Sequence, residues 1–99
     1  MTRTNNQPKD ATPGFSTLLT DETDLGIATL IVEDEAGTYH PVAVVATISE
    51  GREIARQDLY SRMQQLEDGN EPFCPVVYKV WARGLHGFAV AAEFEPESL

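Results

Sequence analysis

A single stretch with helical periodicity stands between two pairs of extended apolar runs, and that order limits what the chain can fold into. Ala55, Leu59, Met63 and Leu66 are spaced by four, four and three residues, which places them within an arc of about 80° on a helix turning ~100° per residue. Arg52, Arg56, Asp58, Arg62, Gln64 and Glu67 fill most of the remaining circumference. The pattern predicts a helix over Arg52 to Asp68 with one face laid on a sheet. Ser49 is the expected N-cap, Glu50 and Glu53 suit the positive end of the dipole, and Asp68-Gly69-Asn70 with Pro72 beyond it marks the end.

The flanking runs are Ile27 to Val32 and Val42 to Ile48 before the helix, then Val76 to Arg83 and Phe88 to Phe94 after it. They are short and rich in β-branched and aromatic residues, and turn-forming residues bound them. Each pair therefore reads as a hairpin. The predicted fold class is α+β: a two-layer ββαββ domain, one helix packed on a four-stranded sheet. Residues 1–14 read as a disordered tail because almost no apolar side chain follows Met1. Residues 15–95 form the single domain, and residues 96–99 an acidic frayed end. Phe15 to Leu19 is a further apolar cluster, expected as an edge strand or as a cover for the sheet.

Alternation assigns faces in the second hairpin. Val76, Tyr78, Val80 and Ala82, with Phe88, Val90, Ala92 and Phe94, are expected against the helix. Lys79, Trp81, Arg83, Ala89 and Ala91 then fall on the open face. In the first hairpin both faces are apolar, and Val45 is expected on the open one. A single helix covers only one face. The Phe15 to Leu19 segment, a second subunit or another protein must cover the other.

Charge narrows the function classes. The net charge is −9, which disfavours duplex nucleic acid and anionic membranes and favours basic partners. It is unevenly spread: residues 1–50 carry −6, residues 51–83 balance to zero, and residues 84–99 carry −3. Any anion-binding surface thus belongs to the helix and the strand after it. Gly51, Arg52, Arg83 and His86 are the candidate anion-binding residues, because helix amides, two guanidinium groups and a glycine-flanked turn are expected at one end of the sheet.

Other chemistry finds little support. Cys74 is the only cysteine and forms no internal disulfide. His40 and Cys74 are expected at one end of the sheet and His86 at the other, about 20 Å away at ~3.3 Å per residue, so no metal site is predicted. There is no phosphate loop and no catalytic constellation, and no cofactor is implied. No apolar run approaches the length of a membrane span, and a cytoplasmic setting is the expectation.

The sequence thus reads as a small acidic, non-enzymatic binding or regulatory domain. It is expected to form a homodimer and to act through protein–protein contacts at Val45, Lys79, Trp81, Ala89 and Ala91. Two alternatives follow from the same residues. One is an acidic inhibitor that mimics nucleic-acid phosphates toward a basic protein, presenting Asp21, Glu22, Asp24, Glu33, Asp34 and Glu35. The other is a small anion-binding enzyme or sensor using the Arg83 and His86 end.

Overall fold

The computed structural model describes residues 10–70 and 73–99. Strands β1 (Ala28–Glu33) and β2 (Tyr39–Val45) form the first hairpin, and helix α1 (Ile48–Glu67) follows it. Strands β3 (Val77–Gly84) and β4 (Gly87–Phe94) form the second hairpin, before a 3₁₀ turn at Pro96–Ser98. The sheet order is β2-β1-β3-β4, with every neighbouring pair antiparallel. This is the expected two-layer ββαββ domain. β2 and β3 run in the same direction with β1 between them, so α1 crosses the sheet to join them.

The helix begins earlier than its stripe suggests. Thr47, not Ser49, is the N-cap: its Oγ1 accepts from the Glu50 amide at 3.0 Å, while Glu50 Oε1 accepts from the Ala46 amide at 2.6 Å. A threonine followed three residues later by glutamate satisfies orphan amides in the manner of a capping box. Ile48 continued an apolar run and so read as strand, and the stripe places the helix start at Arg52, with Gly51 before it. Yet Gly51 is buried there, because a Cβ in its place would lie 2.8 Å from Val80 Cγ2. The glycine lets the helix backbone approach the sheet.

Only Ile48, Gly51 and Ala55 are fully buried along α1, while Leu59 is half-buried and Met63 and Leu66 are exposed. The stripe has the predicted phase, but the helix outruns its support. Its 20 residues extend about 30 Å at ~1.5 Å per residue. Strands of eight residues or fewer reach only ~26 Å.

The core lies between α1 and the sheet. Leu30, Val32, Tyr78 and Val80 are its largest fully buried side chains, joined by Ala28, Val45, Ala82 and Phe94. Phe15 belongs to the same cluster. Its segment is fixed beside the helix by hydrogen bonds from the Leu85 amide to Gly14 O at 2.8 Å, from the Leu25 amide to Ala46 O at 2.8 Å, and from the Ser49 amide to Asp21 O at 2.9 Å. The cover expected for the open face is thus on the helix side.

Both ends depart from expectation. Thr12 Oγ1 accepts from the Leu19 amide, so packing starts inside the predicted tail. Residues 1–9 lie outside the described residues. At the other end Leu99 packs against the core and its carbonyl accepts from Arg56, because the 3₁₀ turn redirects a terminus whose acidic composition suggested fraying.

Leu30→Ala is expected to destabilise the domain by about 2–4 kcal/mol in urea unfolding, since Leu30 is completely buried. Leu59→Ala is expected to cost about half as much. Equal losses would contradict the falling burial along α1.

Candidate functional site

Two bulges decide which side chains reach the open face of the sheet. In the β1–β2 pairing, Leu30 is opposite Ala43 and Ile31 opposite Pro41, leaving Val42 as the extra residue. In the β3–β4 pairing, Val80 is opposite Ala92 and Trp81 opposite Val90, leaving Ala91 extra. An extra residue reverses the phase of alternation beyond it. Val45 therefore sits in the core at 2% exposed, and Val44 is on the open face. Ala89 packs against the core opposite Ala82, and Ala91 joins the core cluster. Of the five residues expected at the interaction surface, only Lys79 and Trp81 are on the open face. Conversely Phe88 and Val90, expected against the helix, are exposed beside Arg83 and Trp81.

The register lays the open face out in rows. Arg83 is opposite Phe88, and its guanidinium carbon lies 5.4 Å from the Phe88 ring centre. The next row is Val44, Thr29, Trp81 and Val90, crossing all four strands. Below it lie Pro41, Ile31, Lys79 and Glu93, and then Tyr39, Glu33 and Val77. The Tyr39 and Trp81 rings meet edge to face with centroids 5.0 Å apart, on either side of β1. Ile31 lies between them and is buried without belonging to the helix-side core.

The two aromatics partly roof this face, but its upper rows stay open. Ile27 is 78% exposed, Phe88 67% and Val44 66%. A shallow depression beside them is lined by Leu25, Ile27, Thr29, Arg83 and Phe88. The signal missed in the sequence was the pair of bulges: Pro41 stands directly beside the one at Val42, where a strand proline is tolerated, and no glycine or proline adjoins the one at Ala91.

Charges on this face are few and balanced. Lys79 Nζ lies 3.4 Å from Glu33 Oε1 and 3.7 Å from Glu93 Oε1. Burial disfavours its ammonium form, but the neighbouring Tyr39 hydroxyl and the two carboxylates outweigh that and raise its pKa. Arg83 has no carboxylate within ion-pair distance among the described residues.

The candidate anion-binding residues do not assemble. Gly51 is buried in the first turn of α1 against Val80, and its amide donates to Thr47 O. Arg52 is held by Asp21 through two hydrogen bonds of 2.7 and 3.3 Å. Arg83 lies on the opposite face, and His86 is exposed in the β3–β4 turn. Being at one end of the sheet did not put them on one surface.

A polar cluster occupies the other end. Tyr78 is fully buried and its hydroxyl donates to Asp58 Oδ2 at 2.7 Å, an oxygen that also accepts from Arg62 Nε at 2.6 Å. Burial and the adjacent carboxylate both push the Tyr78 pKa up, so it stays a neutral donor. Arg62 lies over the Phe73 ring, which stacks on His40 at 4.3 Å, and His40 Nε2 donates to Asp34 Oδ2 at 2.9 Å. Cys74 is exposed, and its amide donates to Glu35. These contacts tie the β1–β2 loop and the segment before β3 to α1. Among the described residues no three His, Cys, Asp or Glu side chains converge to hold a metal ion, and no helix is long and apolar enough to cross a membrane. Compared with protein-family models, curated proteins and solved structures, the chain matches none.

Tyr78→Phe is expected to cost about 1–2 kcal/mol, the loss of a buried hydrogen bond to a charged acceptor that keeps its arginine. A neutral result in denaturant unfolding would show that the bond stabilises nothing.

Acid tests a second pair of contacts. Hydrogen bonds from Arg52 hold Asp21 below the ordinary carboxylate range, and those from His40 and the Thr38 amide hold Asp34 below it. The folded state then binds fewer protons than the unfolded one, so this stability is present above pH ~3.9 and is lost as pH falls through the lowered native values. Arg52→Gln is expected to flatten the loss of stability between pH ~5 and ~2. An unchanged acid limb would contradict the Asp21 assignment.

Proposed function

We propose that this chain is a non-enzymatic binding domain that acts through its open sheet face, and that the face pairs with a second copy in a twofold homodimer. The observation carrying this reading is the row in which exposed Val44 and Val90 flank half-buried Trp81, with exposed Ile27 and Phe88 beside it, on a face that no described segment covers. Contiguous apolar surface of this kind marks an interaction site more often than it marks ordinary solvent-exposed surface. The first connection, the described segment 10–27 that leads into β1, packs beside the helix instead.

Charge favours a second copy over a strongly charged partner. The four strands carry Glu33, Lys79, Arg83 and Glu93 as their only charged side chains, so the face is neutral overall on a chain of −9. A basic protein finds no acidic field there. Five of the six carboxylates that would mimic phosphates already have partners: Asp21 has Arg52, Asp24 the Gly26 amide, Glu33 Lys79, Asp34 His40 and its own loop, and Glu35 the Cys74 amide, which leaves Glu22. A twofold contact buries the same apolar row from both copies, with Trp81 near its centre.

Sedimentation equilibrium over the micromolar range tests the reading. Wild type is expected to sediment as a dimer, and Trp81→Glu and Val44→Glu as folded monomers. A wild type that remains monomeric throughout would overturn it.

A further inference from the structure

We infer that the open face docks on a second copy across a twofold axis, in an antiparallel orientation fixed by two symmetry-related ion pairs, Arg83 of each copy with Glu93 of the other. The inference rests on the homodimer reading and adds its geometry. Every other cation among the described residues already faces a carboxylate: Arg52 faces Asp21, Arg56 faces Glu53, Arg62 faces Asp58, and Lys79 faces both Glu33 and Glu93. Arg83 alone has only an aromatic ring beneath it. At the other side of Trp81 the imbalance is opposite, with two carboxylates sharing one ammonium group. Glu93 is the more exposed of them and the farther from Lys79.

The face is thus positive at the Arg83 row and negative at the Lys79 row. Four residues along β3 separate these rows, about 13 Å at ~3.3 Å per residue, and Trp81 lies midway. A twofold axis in the interface through the Trp81 row carries the positive row of each copy onto the negative row of the other. The surplus charges are satisfied pairwise and the apolar rows meet at the centre. The opposite orientation sets arginine against arginine and leaves all four surplus charges without counterions. Because the pair occurs twice, the symmetry doubles its effect on association.

Charge reversal with concentration-dependent sedimentation is the test. Arg83→Glu and Glu93→Arg are each expected to raise the dimer dissociation constant about tenfold or more, as loss of two close interface charge pairs predicts. The double variant, which swaps the pair, is expected to return to within about threefold of wild type. Arg56→Glu, on the helix, changes net charge as Arg83→Glu does and is expected to leave association within about twofold; thermal melting checks that every variant is folded. A dimeric wild type whose double variant is no tighter than either single overturns the ion pairs and leaves the homodimer standing. An equal effect of Arg56→Glu also overturns them, since overall repulsion then accounts for the loss. A wild type that never dimerises overturns both readings.

Discussion

The close approach of Gly51 to Val80 sets the position of everything else on the helix side. With no side chain between them, the first turns of α1 press directly on β3, and Ala55 continues that contact one turn later. Further along, half-buried Leu59 packs against the core and the buried ring of Tyr78 reaches the helix with its hydroxyl, which needs a partner at that depth. Asp58 meets the need and is itself steadied by Arg62. The buried hydrogen bond and the glycine contact are thus two consequences of one helix crossing.

That crossing also decides which face is left bare. The segment through Gly14 and Phe15 completes the helix-side layer beside Ala82 and Ala89. The fit depends on two glycines. A Cβ at Gly84 would collide with the Gly14 carbonyl, and one at Gly14 would lie 2.8 Å from Ala89 Cβ. With the first connection used in this way, nothing in the described chain remains to cover Val44, Trp81, Val90 and Phe88.

The fold was legible because helical and strand periods differ and succeed each other cleanly along the chain. The site was legible only in part. Lys79 and Trp81 lie on β3, whose alternation is unbroken because the extra residue of the bulge is on β4, and they kept their predicted face. Ala89 and Ala91 lie on the strand whose phase the bulge reverses. Val45 failed for a second reason: with apolar residues on both faces of β2, alternation contains no information about which face is inward, and the bulge at Val42 settles it. Gly51, Arg52, Arg83 and His86 failed because strand direction locates an end of the sheet but not a side of it. Arg52 was already committed to Asp21, 31 residues earlier in the chain, a pairing with no local signature.

Charge distribution ties the two faces together. On the helix side each arginine is neutralised by a carboxylate of the helix itself or of the first connection, so that layer is closed electrostatically as well as sterically. The acidic surplus of the chain sits outside the strands, in the loops, the helix and the ends, where water and salt screen it within about 8 Å at physiological ionic strength. On the open face the strands sum to zero, yet Trp81 stands between the surplus positive charge of Arg83 and the surplus negative charge around Lys79. A neutral face with separated charges gains little from a uniformly basic or acidic surface. It gains most from one whose charges are separated in the reverse order, and a rotated copy of the same face has that arrangement.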